Sequence, residues 1–128
     1  MLQDLLADVL SNIKNAEKIG KHECVTRSSK LVKNVLKVMQ THGYIGTYDF
    51  IDDGKSGKLE IELKGKIIDC NVIKPRFSIK VEEFEKWEKR FLPAREIGLL
   101  ILTTPKGVID HKKAKELHLG GKLLAFVY

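Results

Sequence analysis

The sequence lacks several features that would place it in a specialised class of proteins. None of its apolar runs approaches the roughly 20 residues that a membrane-spanning helix needs, so we predict no membrane contact. The N-terminus has no basic segment followed by an apolar one, and a secretory signal is therefore not expected. The only two cysteines, Cys24 and Cys70, form no CxxC pair. We expect both to be reduced strand residues rather than metal ligands or a disulfide.

The chain does have an excess of basic residues, and this excess lies mostly in its second half. Of the net charge of +6, residues 1–65 contribute +1 and residues 66–128 contribute +5. Such a basic half predicts an anionic partner, and nucleic acid is the commonest one. A charge that serves only solubility would look the same, so charge alone does not decide the matter.

Hydrophobic periodicity predicts an α/β (α+β) protein built from two small packed subdomains. Residues 1–65 have the predicted order α-β-α-β-β, with helical stripes over Leu2–Ala16 and Leu31–Met39 and strands over His22–Thr26, Tyr44–Ile51 and Lys58–Leu63. Ser28 or Ser29 can cap the second helix, and Gly43 can stop it. A hairpin loop is expected over residues 52–57.

Residues 66–128 are predicted to form mainly a β sheet with short helices. We expect extended segments at Ile67–Ile73, Phe77–Val81, Gly98–Leu102 and Leu123–Tyr128, and helices at Glu82–Phe91 and Asp110–Leu117. The segment between Leu102 and Asp110 is expected to be a polar turn.

The clearest candidate site consists of small polar residues and glycines near the ends of these last elements: Thr103, Thr104, Pro105, Lys106, Gly107, Gly120, Gly121 and Lys122. Backbone N–H groups and small hydroxyls at such positions can approach a phosphate backbone closely. An ordinary turn and a glycine helix stop are the alternatives, and no GxxxxGK phosphate loop is present. Because one glycine suffices to stop a helix, the second leaves the backbone bare, and we expect it to be required by the close approach of a nucleic-acid backbone.

Further cations and polar residues are weaker candidates. Lys74 and Arg76 flank Pro75, and Lys112 lies in the first turn of a basic helix for which a solvated face is the alternative. The N-terminal half offers Lys14, Asn15, Arg27, Ser28, Ser29 and Lys30, although helix capping is the simpler role for the two serines.

Catalytic interpretations are poorly supported by the sequence. Thr103 or Thr104 with His111 has no specified orienting acid, and His22, Cys24 and Cys70 lack the paired spacing of zinc ligands. We therefore predict no enzyme, no catalytic residue, no metal or other cofactor, and no small-molecule substrate.

The C-terminal motif also resembles a known signature. The run from Thr103 to His111, followed by Ala114 and Gly120-Gly121-Lys122, is similar to ribosomal protein number eight of the small subunit. Lys74-Pro75-Arg76-Phe77, Trp87, Leu92-Pro93-Ala94-Arg95, Asp110-His111 and the Tyr128 end resemble the archaeal and eukaryotic branch. Segments Asp4–Asn15 and Ser28–Leu31 fit the family as well, so the resemblance covers the whole chain.

This resemblance implies a cytoplasmic ribosomal protein that binds a distorted stem in the central domain of small-subunit rRNA and assists assembly beside neighbouring small-subunit proteins. It implies a main RNA-binding domain at 66–128 that uses Thr103–Gly107, Gly120–Lys122, Lys74, Arg76, His111 and Lys112. Secondary contacts would come from Lys14, Asn15, Arg27, Ser28, Ser29 and Lys30. Bacterial relatives also bind mRNA to repress their own operon. Here Pro105 stands where bacterial members usually have serine, and Lys122 where they have glutamate.

We therefore predict a non-enzymatic rRNA-binding protein. An adaptor that binds only protein through its apolar helix faces is the main alternative, and it would have negligible affinity for the stem at any salt concentration. An RNA-processing enzyme is the third, and it would need a metal ion or turnover.

Overall fold

A computed structural model describes residues 5–52, 54, 57–94 and 97–128, which form two compact units, Met1–Asp69 and Cys70–Tyr128. Leu2 of the predicted helical stripe, Asp4, the loop residues Asp53, Lys55 and Ser56, and Arg95 of the family-like segment lie outside the described residues. The first unit contains helices α1 (Leu5–Lys18) and α2 (Lys30–Thr41) and strands β1 (Glu23–Arg27), β2 (Ile45–Ile51) and β3 (Lys58–Leu63). The predicted order α-β-α-β-β is confirmed.

The two helices of the first unit follow the predicted stripes. The buried residues of α1 recur at helical spacing, as do those of α2: Leu6, Val9, Leu10, Ile13 and Ala16, then Val32, Val35, Leu36 and Met39. Ser29 caps α2, because its hydroxyl accepts a 3.1 Å hydrogen bond from the N–H of Val32. Gly43 follows the end of α2 at a φ of 78°, which glycine adopts without a Cβ clash.

The sheet of the first unit is antiparallel with strand order β1-β3-β2, so β1 and β2 are its edges. Leu59, Ile61 and Leu63 of the central strand are buried and alternate with more exposed residues. Beyond β3, the carboxylate of Glu17 accepts hydrogen bonds from the N–H groups of Gly65 (3.1 Å) and Ile67 (3.0 Å). The predicted strand Ile67–Ile73 is therefore shorter than expected. The N–H of Ile67 bonds to the Glu17 side chain, and the strand comprises only Cys70–Val72.

The second unit is built on a five-stranded antiparallel sheet. Its strands are β4 (Cys70–Val72), β5 (Ser78–Ile79), β6 (Leu99–Thr104), β7 (Gly107–Asp110) and β8 (Gly121–Val127). The order is β4-β8-β6-β7, and β5 pairs with the beginning of β8. A 3₁₀ turn at Val81–Glu83 leads into α3 (Phe84–Phe91), and α4 (His111–Leu117) follows β7.

Strand β7 was not predicted. The polar turn expected between Leu102 and Asp110 is shorter than predicted, because Thr103 and Thr104 extend β6 and residues from Gly107 onward pair with it. The two strands and the turn form a hairpin in which only Pro105 and Lys106 connect Thr104 to Gly107.

The core of the second unit lies between the sheet and its helices. One cluster of buried side chains joins them: Ile73, Ile79, Phe84, Trp87, Leu92, Leu100, Leu102, Ala114 and Leu123. In the described ranges, no helix is long and apolar enough to span a membrane, and no group of three or more His, Cys, Asp or Glu could hold a metal ion.

Candidate nucleic-acid interface

A row of side chains crosses the second sheet at the end that carries the β6–β7 turn. Lys122 of β8 pairs with Ser78 of β5 on one side and with Thr103 of β6 on the other, and Thr103 pairs with Val108 of β7. Residues directly opposite each other on neighbouring strands present their side chains to the same face. Ser78 and Lys122 are exposed, and Thr103 is half-buried. Two hydroxyls and one cation thus share one face.

The turn beside this row is held by the hydroxyl of Thr104. That hydroxyl donates to the carbonyl oxygen of Gly107 (2.9 Å) and accepts from the N–H of Lys106 (3.1 Å). Gly107 has a φ of 110°, a backbone conformation that residues other than glycine rarely adopt. Pro105 and Lys106 are exposed at the tip. The turn therefore fixes the backbone that carries the Lys106 ammonium group.

The hydroxyls of the two threonines consequently differ in their partners, although both residues were predicted to contact RNA. The hydroxyl of Thr104 is engaged within the turn on both its donor and acceptor sides. The hydroxyl of Thr103 makes no hydrogen bond within the part of the chain that the structure describes. Thr103 therefore has the hydroxyl that is available to a ligand, and Thr104 shapes the turn.

The double glycine has a different role from the predicted one. Helix α4 ends at His118, which has the left-handed φ of 54°, and neither Gly120 nor Gly121 has a positive φ. A Cβ on Gly120 would come closer than 3.0 Å to the carbonyl oxygen of Ile79, and one on Gly121 equally close to that of Thr103. The expectation that a nearby RNA requires the second glycine is wrong, because the neighbouring strands already exclude a Cβ.

His111 was predicted to contact RNA, but its side chain is only 3% exposed. Its Nδ1 accepts a 3.0 Å hydrogen bond from the N–H of Leu100, and its Nε2 lies 3.0 Å from the carboxylate of Glu88. Burial lowers the pKa of His111 below its ordinary value, and this effect exceeds the opposite one of the Glu88 charge. His111 is thus a neutral structural residue, and we remove it from the candidate interface.

The N-terminus of α4 keeps the candidate cation next to His111 at the surface. Asp110 caps the helix, its carboxylate accepting a 3.2 Å hydrogen bond from the N–H of Lys113. Lys112 and Lys113 are both exposed. The ammonium group of Lys115 forms an ion pair with the carboxylate of Glu88. Lys112 therefore remains a candidate, and Lys113 is an exposed cation that the predicted set omitted.

Lys74 and Arg76 flank Pro75 just before β5, and all three are exposed. The N–H of Leu123 donates a 2.9 Å hydrogen bond to the carbonyl of Phe77, which joins this segment to the beginning of β8. Arg76 precedes Ser78, the first member of the row, by two residues in the sequence. Ser78 itself could not be found from the sequence, because a two-residue strand carries no periodicity that would indicate the pairing of β5 with β8.

The predicted secondary residues of the first unit fall into two groups. Asn15, Arg27 and Lys30 are exposed, and Lys14 is half-buried in an ion pair of 2.7 Å with Asp69. Ser28 is buried and Ser29 caps α2, so neither hydroxyl faces a ligand. The capping alternative is correct for Ser29, and we remove both serines from the candidate contacts.

Comparison with known proteins identifies the family. The model of the family described as ribosomal protein S8 matches residues 4–128. The chain belongs to this family. It is 58% identical over 129 residues to the small ribosomal subunit protein uS8 of Methanococcoides burtonii, and the alignment covers 100% of this chain and 99% of that protein. The predicted resemblance, including its archaeal character, is confirmed. The chain is accordingly a non-enzymatic structural protein of the small subunit in cytoplasmic ribosomes.

Proposed function

We propose that the chain is a primary rRNA-binding protein whose second unit binds a distorted stem in the central domain of small-subunit rRNA. The observation that carries this proposal is the row of Ser78, Lys122 and Thr103 beside the Lys106 turn. It combines an available hydroxyl with two exposed cations at one end of the sheet. Lys74 and Arg76, which precede β5, and Lys112, in the first turn of α4, are exposed cations of the same unit and would add further phosphate contacts.

The chemistry of an RNA stem favours such a surface over a deep pocket. An A-form helix hides its base edges in a deep and narrow major groove, and it offers 2′-hydroxyls and phosphates along a shallow minor groove. Lys106 and Lys122 would bind phosphates, while the Thr103 hydroxyl would bond to a 2′-hydroxyl or to a base freed at the distortion. Recognition would therefore depend on shape as well as on charge.

The remaining candidates would act in supporting roles. Thr104, Pro105 and Gly107 would hold the turn at which Lys106 approaches the RNA, and Gly120 and Gly121 would keep β8 close to β5 and β6. Lys14, Asn15, Arg27 and Lys30 of the first unit would make secondary contacts. Binding of the stem before other proteins join would assist assembly of the subunit, and an mRNA with the same stem would compete for the same surface.

The test is retention of a labelled central-domain stem by the full-length protein at several salt concentrations. We expect binding to weaken as salt rises, because each phosphate contact releases counterions. A regular duplex of the same length should bind more weakly. Negligible affinity at every salt concentration would favour the protein-only adaptor and contradict this proposal.

A further inference from the structure

Strand β1 has one edge that pairs with no other strand in the described residues. It pairs only with β3, in a register that places Glu23 opposite Glu62, and the N–H of Leu63 donates a 2.8 Å hydrogen bond to the carbonyl of His22. In an antiparallel pair, every second residue directs its backbone groups to the partner strand. His22, Cys24 and Thr26 therefore bond towards β3. The N–H and C=O groups of Glu23, Val25 and Arg27 face outward.

The charged residues at the two ends of β1 each face a like charge within the sheet. Glu23 is opposite Glu62, and Arg27 is opposite Lys58. Like charges directly across strands destabilise a sheet. In the part of the chain that the structure describes, neither Glu23 nor Arg27 has an ion-pair partner. Neither end of the strand is thus neutralised by an ion pair within the described residues.

The crowding of acidic groups is strongest around Glu23. The side chain of Glu60 shares a hydrogen bond with Glu23, and this bond and the Glu23 charge raise the pKa of the Glu60 carboxyl. Asp49, opposite Glu60 on β2, adds to the effect. A cation placed outside β1 at this end would be stabilised by several carboxylates at once.

We propose that β1 pairs antiparallel with β1 of a second copy of this chain, about a two-fold axis at Val25. In this register Glu23 lies opposite Arg27 of the second copy, and Arg27 lies opposite Glu23 of the second copy. The Glu23–Glu62 pair of one sheet then lies next to the Arg27–Lys58 pair of the other. The outward N–H and C=O groups of the two strands bond to each other and join two three-stranded sheets into one of six strands.

The same edge offers apolar surface to the second copy. Val25 is 51% exposed in the middle of the strand and would face Val25 of the second copy. An open groove runs along the strand beside α1, and Ile19, 69% exposed, lines it with Ala16 and Cys24. Charged residues on an edge strand normally prevent pairing with other chains. Here the charges match in one two-fold register, which closes the assembly at two copies.

A single strand pair buries less surface than a standard stable interface of about 1,600 Å², so we expect a weak dimer with a dissociation constant on the order of 0.1 mM. Arg27 is also among the proposed secondary RNA contacts, and the dimer therefore belongs to the RNA-free protein. The proposal does not depend on the stem-binding surface of the second unit.

The experiment is sedimentation of the full-length, RNA-free protein up to about 1 mM, with charge reversals on β1. Glu23→Arg alone and Arg27→Glu alone should each weaken dimerisation by at least about tenfold, because each creates two like-charged contacts across the two-fold axis. An equimolar mixture of the two variants should form a heterodimer. The double variant with both reversals should dimerise like the natural protein. Lys37→Glu on α2, a helix that packs against β2, is the matched control and should have no effect.

A second variant tests the backbone pairing separately from the charges. Val25→Pro removes an outward N–H that β3 does not use, and proline is tolerated at such positions of edge strands. We expect a folded monomer by circular dichroism. A natural protein that stays monomeric at 1 mM would overturn the proposal. So would a mixture of the two reversed variants that fails to associate, or a Val25→Pro protein that still dimerises.

Discussion

The ring of His111 connects a strand to a helix: Nδ1 accepts the N–H of Leu100 in β6, and Nε2 lies 3.0 Å from the Glu88 carboxylate of α3. Because Nδ1 accepts a hydrogen bond, the single proton of the neutral ring is on Nε2, and this N–H can donate a hydrogen bond to the Glu88 carboxylate. Leu100 directly precedes Ile101, the first residue of β6 that pairs with β7, and Ile101 lies opposite Asp110, the last residue of β7. Where β7 ends, the imidazole of His111 thus supplies the hydrogen-bond acceptor for the N–H of Leu100.

This arrangement predicts that the protein loses stability in mild acid. The pKa of His111 is lowered in the folded state by burial, against the effect of Glu88 and Asp110 and with that of Lys115 and Lys112. Its unfolded pKa is about 6.5. The unfolded chain therefore binds more protons below that pH, and the free energy of unfolding falls as the pH drops below about 6.5. Urea unfolding between pH 5 and pH 8 measures this dependence.

Replacement of the histidine identifies the group responsible. His111→Gln should remove most of the pH dependence above pH 5 and should cost about 1–3 kcal/mol at pH 7.5, because the buried bonds to Leu100 and Glu88 are lost or weakened. His22→Gln, at an exposed histidine, is the control and should leave both the stability and its pH dependence unchanged. An unaltered pH profile in His111→Gln would assign the acid sensitivity to other groups.

The two threonines of β6 should separate stability from RNA binding. Thr104→Val removes both bonds that hold the turn and should reduce the free energy of unfolding by about 1–2 kcal/mol. Thr103→Val removes a hydroxyl with no internal partner in the described residues and should leave the unfolding midpoint unchanged. It should weaken binding of the distorted stem by about tenfold and affect a regular duplex less. Equal losses on both RNAs would argue against a discriminating role for Thr103.

The exposed lysines at this sheet end should act through charge. Lys106→Ala and Lys122→Ala should each weaken binding of every stem variant similarly and lower the slope of log affinity against log salt by about 0.9 or less. Lys37→Ala on α2 is the control for the loss of one charge elsewhere. If neither slope changed, the phosphate contacts would have to lie elsewhere, with Lys112 and Lys113 as the next residues to replace.

Much of the fold could be predicted because it depends on local periodicity. The stripe from Leu6 to Ala16 and the caps at Ser29 and Asp110 are visible in a few consecutive residues. Strand β7 could not be predicted in this way, since its four residues gain their partners only from β6. A short segment with no periodicity of its own looks like a continuation of the turn.

The errors in the site have a different physical origin, because they depend on residues distant in sequence. The carboxylate that lies 3.0 Å from Nε2 of His111 belongs to Glu88, on another helix. Gly121 is crowded by the carbonyl of Thr103, which belongs to another strand. A sequence shows a histidine among lysines and a pair of glycines, and both are typical of an RNA-facing surface as well as of tight packing. The strand register decides between the two.

The crowding of Gly121 leads to a last prediction. Glycine-to-alanine changes at ordinary φ angles are usually neutral or stabilising, because alanine restricts the unfolded chain. At Gly121 the added Cβ would overlap the carbonyl oxygen of Thr103, a backbone atom that cannot move without disturbing the pairing of β6 with β8. Gly121→Ala should therefore lower the free energy of unfolding by about 3 kcal/mol or more. Lys122→Ala, an exposed neighbour on the same strand, should change it by about 0.5 kcal/mol or less. A Gly121→Ala protein with natural stability and lost stem binding would instead restore the interpretation that RNA requires this glycine.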